Sequence, residues 1–205
     1  MTLERPALIV WDFDGVLNRN VVGGRFVWSD QLATDLGLDP SDLSEFLFAS
    51  GRMGGVIRGK EDLRDVVGEW LARQATRVTA EDLLAYWFEK DALPDDEVIT
   101  YLDHLPCRHA IGTNNERRRA AFIETNMGFG ARVAHVFASG RMGVAKPDAG
   151  YFHHILRWAD IPAAQVLLID DHLPNVEAAR ALGWQSLHFT DGSRDAVLRQ
   201  LYSWT

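Results

Sequence analysis

The feature that most constrains this chain is the run Ile9-Val10-Trp11-Asp12-Phe13-Asp14-Gly15-Val16-Leu17-Asn18, in which an apolar strand ends abruptly in two carboxylates and a glycine. Residues 7–10 are short, apolar and partly β-branched, the pattern of a parallel strand buried on both faces. Carboxylates at i and i+2 point the same way on a continuing strand. Gly15 lets the backbone turn, so the pair can converge on one point from different directions. Oxygen donors gathered in this way suit a single hard cation.

From residue 93 onward strand and helix alternate. The pattern predicts helices over 95–105, 116–126, 148–158 and 174–182 and a last one from Asp195, with strands over 109–112, 135–138, 166–169 and 186–189. That rhythm predicts an α/β fold, a doubly wound, Rossmann-like parallel sheet. Between the first strand and residue 93 the pattern reads as helical, interrupted by residues 50–60, which are too rich in glycine to be helical throughout. Ser29 caps a helix ended by Gly37, Asp39-Pro40 with Asp42 starts a second, and residues 60–74 carry Leu63, Val66, Val67, Trp70 and Leu71 at helical spacing. Thr79 with Asp82 makes a capping box for a fourth. The expected organisation is therefore a discontinuous α/β core of residues 1–18 and 93–205, with residues 19–92 inserted as a small helical bundle. Between the second and third of these helices, residues 50–60 are rich in glycine and carry Arg52, Arg58 and Lys60.

A chain of 205 residues with 47% apolar content can bury one sizeable core, or one core with a smaller module. Its formal charge of −8 and the lack of a long basic run argue against nucleic acid as a partner. The single cysteine, Cys107, has no internal disulfide partner, and residues 1–10 lack a long apolar segment. A soluble, cytoplasmic protein without a membrane partner, monomeric or homodimeric, is the expectation. The run Arg117-Arg118-Arg119 reads as a solvated helix face, and His104, His109, His135 and His188 receive no role.

In open α/β sheets ligands bind beyond the carboxyl ends of the strands. Each of the first four core strands is followed by polar residues there: Asp12 and Asp14, then Thr113-Asn114-Asn115, then a loop ending in Lys146-Pro147, then Asp170-Asp171. Carboxylates, a hydroxyl and a lysine on one edge fit Mg²⁺-assisted phosphoryl transfer. The metal and the lysine neutralise phosphate oxygens, and one carboxylate is free to attack.

Taken in order, Asp12-Phe13-Asp14-Gly15-Val16-Leu17, Thr113-Asn114, Gly143-Val144-Ala145-Lys146-Pro147-Asp148 and Leu168-Ile169-Asp170-Asp171 followed by Asn175-Val176-Glu177-Ala178-Ala179-Arg180 resemble the haloacid dehalogenase-like hydrolase superfamily. The helical insertion looks like the cap of the subclass in which it follows the first motif. The resemblance implies a phosphatase of small phosphorylated metabolites that works through an aspartyl-phosphate. It makes Asp12 the nucleophile and Asp14 the general acid and base. It makes Asp12, the main-chain carbonyl of Asp14 and Asp171 ligands of Mg²⁺, with Asp170 beside them, and gives the phosphoryl group to Thr113, Asn114 and Lys146. Asn175 stands where many relatives have an aspartate and is expected to support the ligands; His172 replaces a small hydroxyl residue. Arg52, Arg58 and Lys60 are the candidates for contact with the rest of the substrate. The rival readings are a metal-independent 2-haloacid dehalogenase, which has no use for Asp14, a phosphomutase, and a non-catalytic regulatory module.

Overall fold

The computed structural model describes residues 3–205. Strand β1 (Leu8–Trp11) is wholly buried and leads to a hairpin of two short strands, β2 (Val21–Val22) and β3 (Arg25–Phe26). Then come helices α1 (Leu32–Leu36), α2 (Pro40–Ser44), α3 (Met53–Val56), α4 (Leu63–Leu71) and α5 (Ala80–Lys90), with α2 running on into a wide helical turn at Glu45–Ala49. The remaining order is α6 (Asp96–His104), β4 (Arg108–Thr113), α7 (Arg117–Thr125), β5 (His135–Ala138), α8 (Ser139–Met142), α9 (Ala149–Ala159), β6 (Val166–Asp170), α10 (Leu173–Ala181), β7 (Gln185–His188) and α11 (Arg194–Tyr202).

The large sheet has the order β5-β4-β1-β6-β7, and every pair in it is parallel. The chain builds outward from β1 to β4 and β5, then crosses back to place β6 and β7 on the other side. The order therefore reverses at β1, which opens a crevice beyond its carboxyl end. Trp11 lies opposite Ile111 on one side and Ile169 on the other, so Asp12 is level with the ends of both neighbours.

Alternation along the strands feeds two layers. Ile9, Trp11, Ile111, Leu167 and Ile169 pack with Val98 and Leu102 of α6, Ile123 of α7 and Leu198 and Leu201 of α11. Leu8, Val10, Ala110 and Leu168 face Tyr151, Phe152 and Ile155 of α9 and Ala179 of α10. The buried Trp11 indole donates to Nδ1 of His109 at 3.0 Å, which gives His109 a structural role that its sequence position did not indicate.

Residues of the insertion form their own apolar cluster around Trp28, Leu43, Leu47, Val66, Trp70, Leu83 and Trp87, with the Trp28 and Trp87 rings stacked at 4.2 Å. The Thr79–Asp82 capping box is present, and Asp39 and Asp62 cap α2 and α4. The insertion is not helical throughout. It opens with the β2–β3 hairpin, where Gly23 and Gly24 both take positive φ in the two-residue turn; strands of two residues are too short to show a period. Ser29 does not cap α1, which starts at Leu32 without a side-chain cap.

The arginine run is also different from a solvated face. Arg119 is 3% exposed, pairs with Asp91 at 2.9 Å and donates to the carbonyls of Phe88 and Asp91. Arg118 makes two bonds to Asp62 at the start of α4. Three adjacent helical residues point in three directions 100° apart, so a single charge run can serve both interior and surface. Among the described residues no helix is long and apolar enough to cross a membrane.

Arg194, at the start of α11, holds both oxygens of Asp95, the cap of α6, at 2.6 and 2.9 Å. Burial works to raise the Asp95 carboxyl, but the bonds from Arg194 and the Val98 amide outweigh it and the net shift is downward. A lowered folded value means the stabilisation is fully present above the unfolded value of about 3.9 and is lost as pH falls through the folded one. Arg194→Met should cost about 2 kcal/mol at pH 7. The gap between the urea midpoints of wild type and variant should close as the pH falls below about 4; a gap that stays constant to pH 2 contradicts the pair's role.

Candidate active site

Asp12 extends β1 by one residue, its amide bonded to the Ile169 carbonyl of β6 at 2.8 Å. One carboxylate oxygen, Oδ1, accepts from Lys146 Nζ at 2.9 Å and from the Phe13 amide at 2.7 Å. The Lys146 ammonium also lies 2.6 Å from Asp170 Oδ2, so a single buried cation bridges the ends of β1 and β6. Asp170 is 0% exposed. Its other oxygen accepts from the His172 amide and from Asn175 Nδ2, both at 2.9 Å. Lys146 itself is held by Asn114, whose side-chain amide bonds both the carbonyl and the amide of Lys146 at 2.9 Å. The Asn114 side chain therefore positions the lysine.

Asp12, Asp170 and Asp171 offer carboxylate oxygens within 4.8 Å of one another. Burial, then the charge of Asp170, raises the Asp12 carboxyl well above the usual range against the opposing pull of Lys146. Burial and then Asp170 likewise push Asp171 up to about 6. Three carboxylates face one ammonium, so to the dominant cost of burial is added an excess of negative charge. The donor set is all oxygen and the charge is uncompensated, so the cluster fits a hard divalent cation. At Gly15, φ is +79° and a Cβ would lie 2.3 Å from Asp171 Oδ2, so only glycine lets Asp171 stand beside the β1 loop.

Asp14 stands apart from that cluster. Its two oxygens accept from Asn20 Nδ2 and Asn115 Nδ2, each at 2.7 Å. Asn115 also donates to the Thr113 hydroxyl at 2.7 Å, and Asn20 to Asp91 Oδ1 at 2.8 Å. Burial, followed by the charge of Asp14, raises Asp91 to about 7 despite Arg119 and Asn20. Asn20, Asp91, Asn115 and Arg119 were not singled out from the sequence as site residues. Asn115 had a signal, the i+2 spacing from Thr113 after a strand; Asn20 and Asp91 are 71 residues apart and had none.

The three cations of residues 50–60 do not gather at the site. Arg52 pairs with Glu61 and Glu69 and lies over the Phe46 ring, all within the insertion. Arg58 pairs with Asp148 at 3.3 Å, tying this segment to the loop after Lys146. Lys60 is exposed. Apart from Asn20 and Asp91, what the insertion brings to the space beside Asp14 is apolar. A cavity of about 230 Å³ is lined by Phe26, Phe48, Met53, Ile57, Leu63, Trp87 and Phe88, and it reaches Asp14, Asp91, Asn114, Asn115, Glu116 and Arg119.

A sheet that reverses at β1, with an acidic cluster and a bridging lysine at that point, defines a class that comparison with known proteins identifies. The family model for haloacid dehalogenase-like hydrolases matches residues 6–183, and the chain belongs to that family of hydrolases. It is 43% identical over 67 residues to the sesquiterpene phosphatase astK of Aspergillus oryzae, a match covering 32% of this chain and 34% of that protein. The chain thus spans about a third of the length of that curated relative. Among solved structures, a protein of Porphyromonas gingivalis described as a HAD-like family hydrolase superposes with a TM-score of 0.78 at 20% identity, over 97% of this chain and 98% of that one. A HAD family enzyme of Bacteroides thetaiotaomicron, in complex with magnesium and inorganic phosphate, gives 0.73 at 18% identity, over 91% and 96%. These likenesses show the fold.

Gly15→Ala should push Asp171 away and strain the turn, the left-handed backbone alone costing about 1–2 kcal/mol. Calorimetric titration should show divalent-cation affinity reduced at least tenfold, and unchanged affinity would separate Asp171 from cation binding.

Proposed function

We propose that the protein is a Mg²⁺-dependent phosphatase that hydrolyses a phosphate monoester through an aspartyl-phosphate on Asp12, with residues 19–92 acting as a cap over the site. The observation that carries this reading is the division of labour among carboxylates. Asp12 is buried beside Lys146 and within reach of Asp170 and Asp171, while Asp14 is held away from them by two amides. The curated relative named as a phosphatase and the Bacteroides enzyme seen with magnesium and phosphate support it.

Asp12 and Asp171, with the Asp14 main-chain carbonyl and Asp170 adjoining, would hold Mg²⁺, which when bound supplies positive charge to the phosphate oxygens. Lys146 Nζ keeps Asp12 Oδ1 fixed, and the second oxygen, which no described residue bonds, is the attacking atom. The Thr113 hydroxyl and Lys146 ammonium donate to the phosphoryl oxygens. As the Asp12–phosphorus bond forms, the ester P–O bond breaks and Asp14 gives its proton to the departing alcohol oxygen. Asp14 then takes a proton from water, whose oxygen ends on phosphorus and releases Asp12 and inorganic phosphate. Asn20 and Asn115 orient Asp14 through both steps. Asp14 is also what favours this chemistry over dehalogenation, which forms no alkoxide to protonate.

Asp12→Asn should lower kcat at least about a thousandfold, or about 4 kcal/mol of barrier, with the circular dichroism spectrum unchanged. Retention of a tenth of wild-type activity would sink the covalent mechanism. Chelation should abolish hydrolysis and added Mg²⁺ restore it. Chloride release from 2-chloropropionate in chelator would instead establish the dehalogenase.

Asp14→Asn should slow alkyl phosphates by at least about 100-fold more than aryl phosphates in the single-turnover phosphorylation step, because a phenolate leaves without a proton more readily than an alkoxide. Equal losses on the two ester types would remove Asp14 from the acid role.

A further inference from the structure

The motifs at the carboxyl edge act on a phosphoryl group common to any ester, so the choice of substrate falls to whatever lines the space beyond Asp14. That space is the cavity between the insertion and the core, and its walls are mostly hydrocarbon. We propose that the substrate's alcohol is hydrophobic, a linear or branched hydrocarbon chain rather than a sugar or a second anion, seated among Phe26, Phe48, Met53, Ile57, Trp87 and Phe88. This inference rests on the phosphatase reading above.

Most polar groups that reach the cavity are already occupied; the exception is Arg119 Nε, which has no hydrogen-bond partner but is itself buried. Glu116 accepts from the amides of Arg118 and Arg119 at 2.7 and 2.6 Å, Asp91 from Arg119 and Asn20, and Asp14 from Asn20 and Asn115. The Arg119 guanidinium is fixed by two carbonyls and Asp91 and lies over the rings of Phe13, Phe88 and Phe122. A sugar hydroxyl entering here would give up water for groups whose bonds are already made. A distal phosphate or carboxylate would meet Asp14, Asp91 and Glu116, and the cation lining the cavity, Arg119, is already paired with Asp91; Arg52 and Arg58 are paired elsewhere and Lys60 does not line it. A hydrocarbon chain gains from leaving water and asks nothing of these walls.

The cavity's two most exposed aromatic residues support the same occupant. Phe26 is 37% and Phe48 40% exposed, and their rings lie stacked 6.5 Å apart. Phe26 comes from the β2–β3 hairpin, which has no part in either core sheet layer. Two large apolar side chains left open to water beside a catalytic carboxylate mark a surface that an apolar ligand covers.

The test is the hydrolysis of decyl phosphate, geranyl phosphate, glucose 6-phosphate and acetyl phosphate by the full chain with Mg²⁺. The expected result is a kcat/KM for decyl or geranyl phosphate at least tenfold above that for glucose 6-phosphate. Ile57→Asn and Phe48→Ala should each lower that value at least tenfold for the hydrocarbon esters and less than threefold for acetyl phosphate, which is too short to reach these walls. Phe48 is exposed enough that its truncation leaves the fold in place, so it keeps the test valid if the Ile57 variant does not fold. As a readout without turnover, decylphosphonate binding to the Mg²⁺-loaded protein should show a negative heat-capacity change that methylphosphonate lacks. Acetyl phosphate hydrolysis with no preference for the hydrocarbon esters would leave the phosphatase standing and overturn this inference. Failure to hydrolyse any of the four compounds would overturn the phosphatase reading and the inference with it.

Discussion

The bridge from Lys146 to Asp12 and Asp170 is the constraint on which the rest of the site depends. Its ammonium is 1% exposed and Asp170 0%, so both charges have left water almost completely. Burial alone pulls the Lys146 pKa down, and the charges of Asp12 and Asp170 more than reverse this, so the lysine stays protonated. Each member tolerates burial only because the others and a ring of neutral donors surround it. Removing Lys146 would leave the buried Asp12 and Asp170 without their cation, and an uncompensated buried charge typically costs about 3–5 kcal/mol. The residues around the bridge follow from that demand. Asn114 holds the lysine by its own backbone, and Asn175 and the His172 amide fill the second oxygen of Asp170.

The sheet order explains how three distant pieces of chain can meet that demand. β1 lies between β4 and β6, and the loop after β5 delivers Lys146 back over the end of β1. The reversal of strand order leaves no helix directly above Asp12, and the space is filled by charge and by whatever binds there. The same strand is buried on both faces, with its side chains alternating between two apolar layers. The most chemically loaded residue therefore directly follows a strand buried along its whole length. Its backbone is held by the bond to the Ile169 carbonyl, and its side chain by Lys146 and the Phe13 amide.

Most of the core was legible because the signals were local. Strand β5 spans the residues expected of it, and α9, β6 and α10 begin or end within a residue or so, since caps, glycines and apolar runs all lie inside the element they define. What was not legible depended on partners far along the chain. Arg119 sits in a run of three arginines, yet its burial is set by Phe13, Phe88, Asp91 and Phe122, which the fold assembles around it. Arg52 and Arg58 looked available because their carboxylate partners lie 9 to 90 residues away. The β2–β3 hairpin escaped for a different reason, since a two-residue strand carries no period to read.

The connection between insertion and core is more than a tether. The outgoing segment at Asn18–Asn20 and the returning one at Asp91–Asp95 run side by side. The Asn18 side chain bonds the Asp91 carbonyl at 2.6 Å and the Leu93 amide at 2.7 Å, and the Arg19 amide bonds the Leu93 carbonyl. Two residues from Asn18, the Asn20 amide nitrogen bonds Asp91 on the returning segment and Asp14 on the β1 loop. Asp91 in turn holds Arg119 of α7, which packs under the insertion's aromatic residues. A shift of the insertion that moves Asn20 relative to β1 must therefore lengthen or re-aim one of the two hydrogen bonds on Asp14. Neither bond has a substitute nearby, because the Asn115 amide already holds the other Asp14 oxygen and Asn18 is engaged by the hinge itself. The geometry of Asp14 and the seating of the insertion are thus one mechanical unit, built from a single side-chain amide shared between them.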